Sequence, residues 1–436
     1  MSEVAAGCIG LAAVLIMFLT GLELAWCMMI VGFLGFTYIV NLEAAVHLVA
    51  KDLLDVFASY GYTVFPVFIL MGQLAFNSGI AKRLYDSAYK FIGHVPGGLA
   101  MATVGGATAF KALCGSALAT AATFTSVAIP EMDRYNYSKK LSTGIVATVG
   151  TLGCMLPPSV FLIIFGIITE QSIGKLFLAG IIPGLIMAVL FVGTIYVWAK
   201  INPGLAPKGE RSTWRERIFS LPEVIIAVAI FVLMIVGLMK GFFTPTEAGS
   251  VGTVAVLLLT IFRRQINFKG YVKSLSDSMK IACMMLMLVS GSAVLGHFIA
   301  VTNIPQIMSE WVVGLPLHKN IIMVIICLIY ILGGSFIDDL AFMILATPIF
   351  FPAVMKLGFD PIWFCIMIGV TQMIGVVIPP VAINVFVVTK MTKVPMSVIY
   401  SGVYPFLIGI IIFGIALFIF PQLATFLPYY LMGTGG

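Results

Sequence analysis

Eight long apolar runs, at residues 4–19, 25–40, 62–76, 181–199, 224–238, 250–262, 281–300 and 398–420, recur through the chain. Their lengths approach the roughly 20 residues a helix needs to cross a bilayer core of about 30 Å. Because lipid offers no hydrogen bonds, only helices and closed barrels can span it, and continuous apolar runs specify helices. The charged fraction agrees: 10% of the 436 residues are charged, against about 25% in a soluble protein. Met1-Ser2-Glu3 has no basic stretch and no small-residue cleavage site follows, so 4–19 reads as a retained span and not a signal peptide.

Shifting the chain along itself by 222 residues aligns Gly153 with Gly375, Pro157 with Pro379, Pro158 with Pro380, Gly180 with Gly402, Pro183 with Pro405 and Pro130 with Pro352. At about 5% proline a random shift would match roughly 0.4 prolines of the first half, whereas four coincide. The chain is therefore an internal duplication. Each copy contains five crossings and one hairpin that enters and leaves on one side, and an odd number of crossings inverts the second copy. The fold class expected is all-α, polytopic, with two inverted-topology repeats, each of five spans and one re-entrant helical hairpin. Basic residues test this. Lys82, Arg83 and Lys90; Arg134, Lys139 and Lys140; Lys200, Lys208, Arg211, Arg215 and Arg217; Arg263, Arg264, Lys269 and Lys273; and Lys390 and Lys393 all fall on one face. That face is cytoplasmic by the positive-inside rule, which places both termini outside. The net charge of +6 has the same origin and does not call for nucleic acid.

Segments 97–111 and 117–131 are each about 22 Å long as helix, too short to cross. They form the first hairpin, entering from the cytoplasm, with its tip at Leu113-Cys114-Gly115-Ser116. Its counterpart, 320–353, enters from outside with a tip at Gly333-Gly334-Ser335-Phe336-Ile337-Asp338-Asp339. The next crossing of each copy contains a double proline, Met155-Leu156-Pro157-Pro158-Ser159 and Val377-Ile378-Pro379-Pro380-Val381. Two prolines remove two amide donors and bar helical geometry before them, so the helix opens. Segments 42–59 and 268–280 read either as arms along the outer and inner membrane faces or as long loops.

Open backbone at membrane depth must line a cavity or be buried in protein. Broken helices present carbonyls to a small hard cation and amides to an anion. Sodium accepts carbonyl and Ser, Thr, Asn or Asp oxygens, and these residue types stand at the tips and breaks. The first expected sodium site is Gly115, Ser116, Gly153, Pro157 and Ser159; the second is Gly334, Asp338, Gly375, Pro379 and Asn384. Substrate is expected at Ser116, Pro158, Pro380 and Asn384. The glycines and prolines alternatively only shape turns, and Asp338 with Asp339, the adjacent carboxylates at membrane depth, alternatively cap a helix. Thr244-Pro245-Thr246-Glu247 has capping-box spacing, which assigns Glu247 to a helix start. The seven cysteines and four histidines form no disulfide framework, C-x-x-C or H-E-x-x-H, and G-x-x-x-x-G-K-[ST] is absent from the sequence. No nucleophile, base and metal set can be assembled, so the chain reads as not an enzyme. The 24 methionines are packing residues.

The chain resembles the large membrane subunit of the tripartite ATP-independent periplasmic (TRAP) transporters, the DctM type. The resemblance rests on Phe65-Pro66-Val67-Phe68-Ile69-Leu70-Met71-Gly72, Ser78-Gly79-Ile80-Ala81 and Gly93-His94-Val95-Pro96-Gly97-Gly98-Leu99. Further matches are Gly115-Ser116 followed by Ile129-Pro130-Glu131-Met132, Leu156-Pro157-Pro158-Ser159 and Thr244-Pro245-Thr246-Glu247-Ala248. Asp338 ten residues before Pro348, Gly358-Phe359-Asp360-Pro361, and Pro379-Pro380 with Asn384 complete the set. The resemblance implies sodium-coupled uptake of a carboxylate-bearing molecule across the bacterial inner membrane by an elevator movement, with Na+ as coupling ion. It also implies a small four-span membrane subunit and a periplasmic substrate-binding protein as partners. The domains expected are 1–60, scaffold spans and outer arm; 61–199, first hairpin and broken helix; 200–221, a cytoplasmic linker; 222–280, scaffold spans and inner arm; and 281–436, second hairpin and broken helix. Gly21-Leu22-Glu23-Leu24-Ala25 departs from the family's Gly-x-Pro-x-Ala, and Asn136-Tyr137 from its Gly-Tyr. Competing readings are a stand-alone ion-coupled elevator transporter of another family and a channel or structural subunit without coupling.

Overall fold

The computed structural model describes residues 2–314 and 316–433. The first copy comprises α1 (Glu3–Leu19), α2 (Leu24–Ile39), α3 (Leu42–Ala58), α4 (Val64–Asn77), α5 (Ile80–Ile92), α6 (Gly98–Lys111), α7 (Ala117–Arg134), α8 (Lys139–Val149), α9 (Val160–Ile168) and α10 (Ile173–Ile201). The second comprises α11 (Trp214–Met239), α12 (Pro245–Phe262), α13 (Phe268–Val301), α14 (Ile304–Gly314), α15 (Lys319–Phe336), α16 (Asp339–Lys356), α17 (Pro361–Gly375), α18 (Ile383–Thr392) and α19 (Met396–Ile419), followed by α20 (Gln422–Met432). Adding 222 to the bounds of α7 gives 339 and 356, those of α16. The duplication read from glycines and prolines is thus a duplication of elements. No strand occurs among the described residues.

Each copy crosses the membrane five times: α1, α2, α4, α8 with α9, and α10, then α11, α12, α13, α17 with α18, and α19. The odd count inverts the second copy relative to the first. The copies differ before the first break, where residues 150–154 are 3-10 helix while the counterparts of 150–153 belong to α17, and at an earlier joint. In the first, α3 meets the segment containing α4 at 52° across a short 3-10 turn, Tyr60–Thr63, whereas residues 268–301 of the second form one continuous 34-residue helix. Pro66 stands in the first turn of α4, where a missing amide costs no helical hydrogen bond. Proline is absent from α13, so nothing interrupts it.

Small residues set the helix crossings, as is usual where lipid supplies no hydrophobic drive. A methyl group on Gly32 of α2 would sit 2.7 Å from the Leu295 amide of α13, and one on Gly291 would collide with the Ala25 carbonyl. Between the copies, Gly144 of α8 lies against Gly402 of α19. On the face carrying the basic loops, Glu223 of α11 accepts from Arg83 of α5 at 3.3 Å and pairs with Arg263 at the end of α12. The Ser87 hydroxyl donates to the Ser220 carbonyl at 2.9 Å. These contacts hold α5 to the second copy's first two spans. Thr244 and Glu247 form the capping box expected of them, each side chain bonding the other's backbone amide, at 3.3 and 2.8 Å.

Candidate functional site: two tips, two breaks and the cavity between them

Ser116 and Asp338, separated by the repeat shift, occupy equivalent N-cap positions of α7 and α16. The Ser116 hydroxyl accepts from the Ala119 amide at 3.3 Å. The preceding residue, Gly115, meets the first break: its carbonyl accepts from the Val160 amide at 3.4 Å, and a methyl on it would lie 2.7 Å from the Pro158 carbonyl oxygen. Within the break, the Ser159 hydroxyl donates back to the Gly153 carbonyl at 2.7 Å. Gly115, Ser116, Gly153, Pro157 and Ser159 therefore share one tip-and-break junction. Lys111 belongs to it as well. Its side chain is fully buried, its Nζ donates to the Ser116 carbonyl at 2.6 Å, and it occupies the space into which a side chain on Gly153 would project.

The second junction repeats the plan with different side chains. The Ser335 carbonyl at the tip accepts from Val381 and Ala382, just beyond the double proline, at 3.1 and 3.5 Å. Gly375 packs on Gly334, where a methyl would lie 2.9 Å from the Gly334 carbonyl carbon, and Gly334 faces the Gln372 amide. The Asn384 Nδ2 donates to the Ala147 carbonyl of α8 at 3.1 Å, tying this break to the first copy. Three buried atoms here have no hydrogen-bond partner among the described residues: Gln372 Oε1, Gln372 Nε2 and Asn384 Oδ1. Both double prolines contain a cis peptide bond.

A cavity of about 480 Å³ separates the tips from spans of the first and second copies. By length alone α15 and α16 could cross a bilayer. Their tip, however, lines the same cavity as the tip of the oppositely inserted first hairpin, so both hairpins turn inside the membrane. Ala117, Val160, Asp339 and Ile383 line this space, and they are the first residues of α7, α9, α16 and α18. Four helix N-termini, each carrying about half a positive charge, thus border one cavity. Its wall is otherwise largely apolar, with Gln73, Glu23, Asp338 and Asp339 as further polar residues. Asp339 Oδ2 accepts from the Cys154 thiol at 3.2 Å, joining the second tip to the first break.

Of the residues expected to contact substrate, Ser116 lines the cavity, while Pro158 and Asn384 are buried outside its lining and Pro380, like the neighbouring Pro379, is exposed and outside it. Asp338 lines it also, apart from the Gly334–Gly375 contact. Sequence reasoning passed over Lys111, Gln372 and Gln73. Lys111 was the most legible of these, since a lysine in an otherwise apolar hairpin needs a reason.

Residues 11–423 match the model of the tripartite ATP-independent periplasmic transporter, DctM component. The chain belongs to the DctM family. Among its relatives, the C4-dicarboxylate TRAP transporter large permease protein of Pseudomonas aeruginosa is 32% identical over 388 residues, 89% of this chain and 90% of that one. The sialic acid TRAP transporter large permease protein of Vibrio cholerae is 30% identical over 404 residues, 92% of this chain and 94% of that one. Among solved structures, the YdaH transporter of Alcanivorax borkumensis shares the fold, with a TM-score of 0.58 and 14% identity over 87% of this chain and 89% of that one. This DctM-family chain is therefore a multi-pass TRAP large permease subunit. Glu23, where the motif set led to an expectation of proline, stands on the cavity wall.

Proposed function

We propose that the chain carries out sodium-coupled uptake of a carboxylate-bearing small molecule in the bacterial inner membrane, by an elevator movement of the two hairpins and two broken helices against the remaining spans. The convergence of four helix N-termini on one cavity carries this reading. A carboxylate placed there faces the positive ends of four dipoles, an interaction worth roughly 0.3–2 kcal/mol for each terminus. Glu23, Asp338 and Asp339 oppose a bare anion, and a co-bound cation offsets them. The unpaired carbonyl oxygens Gln372 Oε1 and Asn384 Oδ1 have the donor chemistry a sodium ion takes. Sodium there is cargo that couples the cycle, drawing the second tip onto its break before the block moves.

The relatives bear names for C4-dicarboxylate and for sialic acid, so the shared chemistry of the substrate is its carboxylate. Delivery by a periplasmic substrate-binding protein and assembly with a small four-span membrane subunit complete the proposed transporter. Its basic loops face the cytoplasm and both termini the periplasm. Uptake in proteoliposomes, with and without the binding protein and an inward sodium gradient, is the test. Accumulation that needs both is expected. Uptake that needs neither would favour a stand-alone transporter or a channel.

A further inference from the structure

The two junctions are equivalent by the repeat but not by chemistry. Position 111 corresponds to position 333 in the second copy; the first holds lysine and the second glycine. Lys111 ends α6 and its side chain is fully buried, bent across the tip to the Ser116 carbonyl at 2.6 Å. The same carbonyl also accepts from the Thr120 hydroxyl at 2.9 Å. The ammonium touches Gly153, whose own carbonyl is bonded by Ser159. It thus lies among Ser116, Gly153 and Ser159, the residues expected to surround a first sodium ion.

A buried ammonium is costly unless it is paired and hydrogen-bonded. Here the C-terminal end of α6 and the Ser116 carbonyl supply negative dipoles, and the Asp339 carboxylate of the other hairpin is bonded by the thiol of Cys154, the residue after Gly153. Gly333 provides no such charge in the second junction. There, Gln372 and Asn384 leave buried oxygens unpaired, whereas Lys111, Ser116 and Ser159 have no unpaired side-chain atom among the described residues. One junction is internally satisfied and its twin is not.

We propose that the Lys111 ammonium is the cation of the first tip-and-break junction, covalently held, so that this junction takes no sodium and the second one alone does. The proposal rests on the sodium-coupled reading above. A tethered charge returns with the hairpin on each cycle and is never released, so the coupling stoichiometry falls by the ion it replaces.

The test is equilibrium binding of radioactive 22Na+ to the purified full chain in lipid nanodiscs, at constant ionic strength with choline as the balancing cation. Replacing Lys111 by alanine exposes the Ser116 carbonyl and vacates the ammonium's place. K111A is expected to bind about one sodium ion per chain more than the parent, in line with one added linked site. N384A is expected to remove sodium binding from the parent, and the K111A/N384A double variant to retain the gained ion. A folded K111A with unchanged sodium stoichiometry overturns the proposal. If K111A does not fold, N384A in the parent decides: loss of all sodium binding supports the proposal, and residual binding overturns it. A parent chain that binds no sodium at all overturns the sodium-coupled reading itself, a distinguishable result.

Discussion

The side-chain amide of Asn384 donates to the Ala147 carbonyl at 3.1 Å, so the break of the second copy is anchored on the unbroken helix that leads to the break of the first. Its other end, Oδ1, is buried without a partner among the described residues. One residue thereby joins a structural bond to a carbonyl oxygen that the proposed function assigns to sodium. Replacing Asn384 by alanine removes both. Leaving the Ala147 carbonyl short of this donor costs about 1–3 kcal/mol, and with the proposed sodium site lost, uptake should no longer rise with sodium over the range in which the parent saturates. Sodium titration of uptake measures this. An unchanged half-saturation point would remove Asn384 from the ion site.

The tips and breaks touch through glycine, and glycine is required there for space. A methyl on Gly375 would lie 2.9 Å from the Gly334 carbonyl carbon and 3.1 Å from the Ile331 carbonyl oxygen, both backbone atoms that cannot swing aside. Gly375→Ala should therefore destabilise by about 1–3 kcal/mol, as overpacked cores do, and lower uptake. Gly193 in α10 meets nothing within 4 Å, so Gly193→Ala should be neutral or slightly stabilising, by up to about 1 kcal/mol. Thermal unfolding in detergent compares the pair, and equal effects would contradict the close approach.

Glu223 is the shared partner of Arg83 and Arg263. Glu223→Gln leaves two guanidinium groups facing each other without their carboxylate. The side chains are 20–31% exposed, so solvent screens the loss, which should stay near 1 kcal/mol. A fall in unfolding temperature that shrinks as salt is raised is expected. A salt-independent fall would point to packing instead.

The linker is shorter than the expected 200–221, because α10 runs to Ile201 and α11 begins at Trp214; inverted topology places it and the start of α15 on opposite sides. Lys208 and Asn320 are exposed. In intact spheroplasts, a membrane-impermeant maleimide should label Asn320→Cys and spare Lys208→Cys, with labelling of the parent's own cysteines subtracted. Labelling of both positions from outside would contradict the count of crossings.

Much of this architecture was legible because its signals are of the kinds that lipid enforces. Apolar length, double prolines and the 222-residue match each constrain the backbone, and the backbone follows them: the bounds of α16 are those of α7 shifted by one repeat. The junction around Gly115, Gly153 and Ser159 was equally legible, since tip and break belong to one copy. Side-chain identity between copies was harder to use. Symmetry suggested matched sites, yet Lys111 has no counterpart at Gly333, and Gln372 corresponds to Gly150. The cavity wall was least legible, because Glu23 and Gln73 reach it from spans distant in sequence. The tertiary packing of α2 and α4 against the tips decides that, and no local pattern reports it. The joint at residues 268–280 was open for a similar reason: whether an amphipathic stretch breaks from the next span depends on a turn such as Tyr60–Thr63, which the second copy lacks.

The most direct measurement is accumulation of a labelled carboxylate substrate in proteoliposomes holding the full transporter and its binding protein, before and after a sodium ionophore collapses an imposed inward sodium gradient. The account predicts accumulation above equilibrium that falls to the equilibrium level when the gradient is lost. Accumulation that survives the ionophore unchanged would contradict it.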